Sequence, residues 1–348
     1  AYIKQAERRN QRSVSLNYFS DEGKEVLFKM LADADVFIEA SKGGTWARKG
    51  ITDEVLWEIN PKLVIVHLSG FGQSGDPKMV KRAAYDLTVM AYSGYMSQNG
   101  TQDQPMNPGP YAGDYFNSLM IVSSTLAALH KANRTGKGES IDMAMYETLL
   151  AIGQYYLVDY LNEGILWPRP GARNQNLCGI GEYKCNDGFL GVCLYGVDQN
   201  KYFLETIGLG HLWGTEDIPE DTSGLWLSNP HAAEIEAAFE AYCLEHSKYE
   251  IEADFAAHRI AAQVVMEFED LVKEEHLKLR DDFMDWETED GKTFKGLGVF
   301  PKFQQTPGQV WRPMPKQGGD TADVLTKLGY TADQIAALNE SGVVKVAE

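Results

Sequence analysis

The residue best placed for chemistry is an aspartate at the start of an apolar helical pattern. Asp114 follows the Pro/Gly/Tyr-rich loop Pro108–Gly113 and precedes a run rich in small apolar residues. An aspartate in this position can cap the helix. It can also act as a nucleophile, because a helix N-terminus stabilises both a carboxylate and an oxyanion formed beside it. The two roles are compatible, and the residues alone leave both open.

A second group of residues suits the binding of phosphates. Lys42, Arg48 and Lys49 place three cations within a short stretch of a chain that is otherwise strongly acidic, with 32 basic and 50 acidic residues and a net charge of −18. Such a concentration of positive charge is typical of a site for phosphate groups. The alternative is three solvated side chains near a helix start. The net charge itself disfavours nucleic acid and anionic membranes as partners.

Other motifs do not indicate a cofactor. The segment Gly70–Gly75 fits the pattern G-x-G-x-x-G, but Asp-Pro and a charged stretch follow where a dinucleotide fold needs an apolar helix, so we expect only a tight turn near a ligand. The histidines lack a second ligand at helical spacing and the cysteines form no C-x-x-C pair, so we predict no metal. His67 is interpreted as a satisfied core histidine. Free thiols favour a reduced, cytoplasmic protein.

The elements that must position these residues begin as an alternation of strands and helices. Ser20 and Thr52 are typical helix caps, and Leu63–Leu68 is a continuous apolar strand of the kind buried on both faces of a parallel sheet. Further strands are expected at Ser13–Leu16 and Val36–Ile38. This order predicts a doubly wound, Rossmann-like α/β domain.

The remaining chain predicts a second domain and a return to the first. Helical patterns are expected at Asp86–Ser93, Phe116–Lys131 and Ser140–Leu161. A hairpin is expected at Tyr183–Val192, with its turn around Asp187-Gly188, and acidic helices are expected within His231–Leu271. Two short helices should end the chain, the first capped by Asp320 or Thr321 and the second by Thr331. We therefore predict a large α/β domain over residues 1–175, a smaller α+β domain over 176–296, and a return to the large domain over 297–348. No apolar run reaches the roughly 18 residues that a membrane span needs.

Six motifs together resemble those of class III (CaiB/BaiF-type) CoA-transferases. They are RRNQRSVSLN (Arg8–Asn17), ADVFIEASKG (Ala34–Gly43), LSGFGQ (Leu68–Gln73), AAYDL (Ala83–Leu87), GPYAGDY (Gly109–Tyr115) and TGKGESIDMAMYE (Thr135–Glu147). The resemblance implies an interlocked homodimer that uses coenzyme A as substrate and needs no metal or redox cofactor. Members of the family begin with a glycine-containing βαβ segment that has no counterpart here, so we expect this segment, with part of the CoA pocket, to be missing.

The resemblance also implies roles for individual residues. Asp114 is expected to be the nucleophile that forms a mixed anhydride and then an aspartyl-CoA thioester, and Lys42, Arg48 and Lys49 are expected to bind CoA. Gly179 is expected to belong, with Gly181, to a mobile loop that covers the intermediates. The alternative for these two glycines is a plain loop before the hairpin.

Within the family, the stretches FIEASKG and PGQVWRPMP most resemble those of L-carnitine CoA-transferases, and bile acid CoA-transferases come next. A trimethylammonium substrate needs aromatic faces. The candidates are Tyr111 and Tyr115 beside Asp114, with Tyr155, Tyr156 and Tyr160 further along the chain, although ordinary packing is the alternative for all five.

The pair Tyr85-Asp86 bears on the position of the substrate and on the type of reaction. Asp86 is expected to position substrate or to cap a helix. Tyr85 stands where α-methylacyl-CoA racemases, which share this fold, have a histidine, and a phenol is a poor base at neutral pH. The sequence therefore favours a transferase over a racemase. A non-catalytic acyl-CoA-binding scaffold is the alternative of another class.

Overall fold

The protein is described here as a computed structural model covering residues 2–347, without the side chains of Gln154 and Tyr155. The predicted role of the Tyr155 ring therefore lies outside the described residues. The strands are β1 (Ser15–Leu16), β2 (Val36–Glu39), β3 (Val64–Ser69), β4 (Glu139–Ala144), β5 (Ile180–Cys185), β6 (Gly188–Cys193), β7 (Ala261–Val264), β8 (Phe283–Glu287), β9 (Thr293–Leu297) and β10 (Val344–Lys345).

The helices are short apart from one of 24 residues. They are α1 (Tyr2–Glu7), α2 (Asp21–Leu31), α3 (Asp53–Ile59), α4 (Pro77–Val80), α5 (Asp86–Tyr92), α6 (Ala112–Thr135), α7 (Met145–Ile152), α8 (Gln154–Glu163), α9 (Val197–Thr206), α10 (Ala232–Glu245), α11 (Lys248–Ala257), α12 (Phe268–Leu271), α13 (Glu275–Leu279), α14 (Thr321–Lys327) and α15 (Ala332–Glu340). Among the described residues, no helix is long and apolar enough to cross a membrane.

The chain folds into two compact units. The first contains residues 1–81, 121–143 and 268–348, and the second contains residues 82–120 and 144–267. The predicted domain limits at 175/176 and 296/297 stay a prediction.

The first unit is built around a three-stranded sheet in the order β2-β3-β4, in which β2 and β3 run parallel. Ile65 points to a cluster with Leu27 and Leu56, whereas Val64 and Val66 belong to a separate cluster with residues of α6. Because both faces of β3 are covered, its sequence is a continuous apolar run. The predicted α/β fold with a parallel sheet is confirmed.

Local capping signals were sufficient to predict several helix starts. The hydroxyl of Ser20 accepts a hydrogen bond from the Gly23 amide at the start of α2, and Thr52 caps α3 through the amide of Val55. Thr331 forms a capping box at α15. Each hydroxyl replaces the carbonyl partner that the first amides of a helix lack.

The second unit contains an antiparallel sheet in the order β5-β6-β7. Its core joins Tyr183 and Leu190 of the hairpin to Phe203, Phe239 and Phe255 of the surrounding helices, and all five side chains are buried. The predicted hairpin is confirmed, but its two-residue turn is Asn186-Asp187, since Cys185 pairs with Gly188.

The start of the helix predicted before Leu161 also differs from the sequence-based expectation. The helix predicted over Ser140–Leu161 begins only at Met145, because the first residues form strand β4. Ile141 and Met143 alternate with polar residues and pack in the same cluster as Val64 and Val66. Contacts within the sheet therefore outweigh the local helical pattern at the start of the predicted helix.

Candidate active site

Asp114 lies in the first turn of α6 and is exposed. The loop before it contains Tyr111 with φ of 56° and Gly109 with φ of 77°. A non-glycine residue in this left-handed region costs about 1–2 kcal/mol, and such conformations occur mainly where surrounding contacts enforce them. The chain therefore enters α6 through a constrained turn that leaves Asp114 at the surface.

A buried carboxylate supports the backbone of Asp114. Asp86, the first residue of α5, is only 7% exposed, and its Oδ1 accepts a hydrogen bond of 3.1 Å from the Asp114 amide. This amide is one of those at a helix start that have no partner within the helix. The structure thus brings Asp86 and Asp114 together, and the contact made by Asp86 is to the backbone of Asp114.

The glycine before Asp114 permits this approach. A Cβ atom at Gly113 would lie 2.9 Å from Asp86 Oδ1 and 3.1 Å from Met90 Sδ. Real Cβ atoms essentially never come within 3.0 Å of another heavy atom, so a larger residue at position 113 would displace the Asp86 carboxylate. Its hydrogen bond to the Asp114 amide would then be weakened.

Asn117, which the sequence analysis did not single out, fixes the other side of the same turn. Its side chain is 1% exposed, and Nδ2 donates to the carbonyl oxygens of Gly113 at 2.8 Å and Met145 at 3.2 Å. It follows Asp114 by three residues and faces inward, while Asp114 is exposed. This role could not be predicted from sequence, because it depends on a contact with Met145 of α7, which lies 28 residues further along the chain.

Three of the tyrosines predicted for the substrate pocket are exposed. Tyr85 is 78% exposed, and the rings of Tyr111 and Tyr115 are about half exposed. The Tyr115 amide donates to the Tyr111 carbonyl at 3.1 Å, so both residues belong to the turn that carries Asp114. Their exposure is compatible with contact to a ligand.

A small cavity of about 180 Å³ lies elsewhere in the second unit. Tyr156, Tyr160 and Trp167 line it, together with residues of α7 and of the segment after α5. The Tyr156 hydroxyl is a hydrogen-bond partner of the Gln175 amide, and Trp167 Nε1 donates to Asp159 at 2.7 Å. Trp167 was not among the aromatic candidates from sequence, because it lies in an irregular segment beyond the helix.

Lys42, Arg48 and Lys49 lie in the first unit, on the segment between β2 and α3, and all three are exposed. The Arg48 guanidinium donates to the Gly43 carbonyl at 3.1 Å, and the Lys49 ammonium lies 5.3 Å from the centre of the Phe19 ring. In the described part of the chain, none of the three forms an ion pair. Their charges are therefore available to an anionic ligand.

The same segment is anchored by Trp46, which stacks on Tyr18 with ring centres 4.7 Å apart. Trp46 also meets the edge of Phe37 at 4.9 Å. This aromatic packing holds the middle of the segment against β2, so the flanking cations are presented from a fixed base.

His67 on β3 lies beneath this segment and is bound by two carboxylates. Its Nδ1 is 2.9 Å from Glu39 Oε1, and its Nε2 is 2.9 Å from Asp53 Oδ1. Burial opposes the charged ring, but the hydrogen bonds and charges of Asp53 and Glu39 outweigh it and raise the pKa of His67 to about 9. Despite its burial, Asp53 has a lowered pKa, because it bonds to His67 and Ser140. The prediction of a satisfied histidine is confirmed, with partners that the sequence did not reveal.

The two glycines expected in a covering loop lie at the start of the hairpin. Gly179 precedes β5 with φ of 68°, and Gly181 lies within β5 with φ of 150°. The amide of Gly179 donates to Glu236 Oε1 at 2.8 Å, and the Tyr183 hydroxyl contacts both oxygens of that carboxylate at 3.1 Å. The role of this segment as a cover for intermediates stays a prediction.

The second unit offers an exposed carboxylate in the first turn of α6, and the first unit separately offers three cations that form no ion pair with any described residue. A carboxylate of this kind can attack an activated carbonyl directly. The cations can bind phosphates through charge-assisted hydrogen bonds.

Known proteins show the same fold. The chain is similar to a CAIB/BAIF family protein from Brucella suis, with 24% identity over 94% of this chain and 84% of that one and a TM-score of 0.76. It is also similar to Rv3272 from Mycobacterium tuberculosis, with 21% identity over 91% of this chain and 84% of that one and a TM-score of 0.77. Residues 1–321 match the profile of CoA-transferase family III. This match covers most of the sequence, and the protein therefore belongs to CoA-transferase family III and is a CoA-transferase.

Proposed function

We propose that the protein moves CoA from an acyl-CoA donor to a free carboxylic acid, with Asp114 as the covalent nucleophile. The observation that carries the proposal is the position of Asp114, exposed in the first turn of α6 on a backbone that the buried Asp86 holds in place. Preorganised groups at a helix start favour both the carboxylate and the oxyanion that forms when it attacks.

The chemistry conserves the thioester through an enzyme-bound intermediate. An Asp114 oxygen attacks the thioester carbonyl, the carbon–sulfur bond breaks, and an acyl-aspartyl anhydride and CoA thiolate result. The thiolate then attacks the aspartyl carbonyl and releases the donor acid as its carboxylate. The acceptor carboxylate attacks the resulting aspartyl-CoA thioester, and the thiolate released in that step takes the new acyl group and restores Asp114.

Lys42, Arg48 and Lys49 are proposed to bind the phosphates of CoA. Support comes from their exposure, from their lack of ion pairs within the described residues, and from the fixed base that Trp46 gives the segment. The chain has a net charge of −18, so an anionic ligand needs a local concentration of positive charge in order to bind.

For the acids themselves we propose crotonobetainyl-CoA or γ-butyrobetainyl-CoA as donor and L-carnitine as acceptor. The exposed rings of Tyr111 and Tyr115, close to Asp114 in the chain, support this choice, because aromatic faces suit a trimethylammonium group. Competition for CoA between carnitine and a bile acid tests it. Exclusive use of the bile acid would assign the protein to the bile acid branch.

A homodimer is also proposed. Val122 and Leu126 form an exposed apolar face on α6, and Leu161 and Leu166 are similarly exposed in the second unit. Apolar surface of this kind is often covered in an assembly. Light scattering should give twice the mass of the chain, and a monomer at micromolar concentration would contradict the proposal.

Mass spectrometry tests the nucleophile directly. Incubation with an acyl-CoA should add one CoA, less one water, to the peptide that contains Asp114. Asp114→Asn should lose this adduct and several orders of magnitude of turnover while still binding CoA. Substantial turnover by this variant would rule out Asp114 as nucleophile.

A further inference from the structure

The segment that carries the three cations has two ends, and one side chain contacts both. Strand β2 ends at Glu39 and helix α3 begins at Asp53, so residues 40–52 form the connection between them. His67, on the neighbouring strand β3, lies 2.9 Å from each of these two carboxylates. Its contact with Glu39 follows from strand pairing, since the two residues are partners in the parallel register.

We propose that His67 is a positioning residue, which holds the connection between Glu39 and Asp53 in the conformation that binds CoA. The inference rests on the proposed role of Lys42, Arg48 and Lys49 in CoA binding. His67 lies too deep to be a phosphate ligand itself, since its side chain is only 13% exposed. It acts on the cations through the two ends of their segment.

Burial and charge make this contact stronger than an ordinary surface ion pair. The Glu39 side chain is 2% exposed and that of Asp53 is 25% exposed, so both carboxylates are largely removed from water. A buried carboxylate is stable only when it is paired or hydrogen-bonded. If His67 loses its proton, it can donate to only one of the two, and the other loses its hydrogen bond to the ring.

The surrounding charges all favour the protonated ring. His67 lines a cavity of about 350 Å³ together with Glu39, Asp53, Glu54 and Asp142, all of which are acidic. Asp53 and Glu54 belong to α3, Glu39 to β2 and Asp142 to β4, so acids face the cavity from three different elements. Burial of the ring opposes its charge, but the hydrogen bonds and charges of Asp53 and Glu39 raise the pKa of His67 to about 9.

A second contact links the cavity to the middle of the segment. Gln73 Oε1 accepts a hydrogen bond of 2.8 Å from the Gly44 amide, and the Gln73 amide donates to Asp142 at 2.9 Å. Gly44 is two residues from Lys42 and four from Arg48. The segment is thus tied at both ends by His67 and near its centre by Gln73.

The test measures affinity for S-methyl-CoA, a thioether that carries the phosphates of CoA but has no ionisable thiol. His67→Gln should weaken binding at pH 7 by at least about fivefold, the lower end of typical coupling between two sites. Asp53→Asn is a milder change at a more exposed position, and it should also weaken the binding of S-methyl-CoA. His211→Gln, on an exposed histidine of the other unit, is the control and should leave affinity unchanged.

A pH series separates positioning from a purely structural role. In the wild-type protein, affinity should fall as pH rises through about 9, where His67 loses its proton. In His67→Gln this decrease in affinity near pH 9 should be absent. An identical pH dependence in the two proteins, both shown to be folded by circular dichroism, would overturn the inference.

Two further variants distinguish this inference from the proposed function. Lys42→Ala and Arg48→Ala should each weaken S-methyl-CoA binding directly. If they do so while His67→Gln and Asp53→Asn bind normally, the segment binds CoA but His67 does not position it. If neither cation matters, the proposed CoA site is wrong, and the inference about His67 falls with it.

Discussion

At the scale of single residues, the close approach of Asp86 to Asp114 is the central feature of the site. The Asp114 carboxylate is exposed, whereas the Asp86 carboxylate is buried and accepts a hydrogen bond from the Asp114 amide. Their different surroundings assign them different tasks, since a buried group bound to the backbone is poorly placed to react. Asp86 therefore supports the backbone at Asp114.

Replacing Asp86 tests this division of tasks. Asp86→Asn keeps an oxygen at the Oδ1 position and should retain most of the turnover. Asp86→Ala leaves the Asp114 amide without its acceptor, at a cost of about 1–3 kcal/mol, and should lower kcat about tenfold to a hundredfold. Asp103→Ala, at an exposed acid of the same unit, is the control. Equal activities of the Asn and Ala variants would show that the hydrogen bond is unimportant.

Tyr85 supports a second prediction at this scale, which concerns the reaction type. A racemase exchanges an α-proton and needs a base near neutral pH, and the phenol of the exposed Tyr85 is a poorer proton acceptor than an imidazole. Incubation of a 2-methylacyl-CoA in D₂O should therefore give no α-deuteration detectable by NMR. Rapid exchange at the α-carbon would instead indicate racemase activity.

At the scale of elements, the start of strand β5 is held by a network of charged and aromatic groups. Glu236 of α10 binds the Gly179 amide and the Tyr183 hydroxyl, and the Arg173 guanidinium lies 3.4 Å from its Oε2 and 3.7 Å from the centre of the Tyr183 ring. Burial and the charge of Glu236 raise the pKa of the Tyr183 phenol, so this residue donates a hydrogen bond throughout the physiological range.

Removing Glu236 should loosen this end of the hairpin. Glu236→Ala leaves the amide of Gly179 and the hydroxyl of Tyr183 without their acceptor, and we expect a loss of about 1–3 kcal/mol of unfolding free energy. Hydrogen exchange at Gly179 should accelerate. The matched control is Glu240→Ala, which removes only an exposed partner of Arg173 and should cost less than about 1 kcal/mol. Equal losses in the two variants would contradict this account.

At the scale of the whole molecule, charge sets how stability depends on pH. The pKa of His67 is raised from its ordinary value of 6.5 to about 9, so the folded state holds a proton that the unfolded chain releases earlier. The corresponding stabilisation is complete below about pH 6.5 and is lost as the pH rises through about 9. Each pKa unit corresponds to about 1.4 kcal/mol, so the contribution is on the order of 3 kcal/mol.

Urea denaturation between pH 6 and pH 10 measures this effect. The unfolding free energy of the wild-type protein should fall between about pH 6.5 and pH 9, the window set by the raised pKa of His67. Other groups also titrate in this range. The informative quantity is therefore the difference in unfolding free energy between the wild-type protein and His67→Gln at each pH. That difference should shrink as pH rises, and a constant difference would show that the charge of His67 does not stabilise the fold.

The sequence by itself determined the features that depend on neighbours along the chain. Ser20 and Thr52 cap helices through amides three residues away, and the apolar run of β3 is buried on both faces as its composition predicts. The six motifs around Asp114 and elsewhere were sufficient to indicate the family. Hydrogen bonds and apolar patterns of this kind are local, so they can be predicted before the fold is known.

Only the tertiary structure decided the contacts between residues far apart in sequence. The bond between Asp86 and Asp114 spans 28 residues, and the two carboxylates that hold His67 come from β2 and α3. The start of β4, which its sequence pattern suggested to be helical, is a strand because it joins a sheet already formed by β2 and β3. Such choices follow from the packing of distant elements, whose energies no local pattern contains.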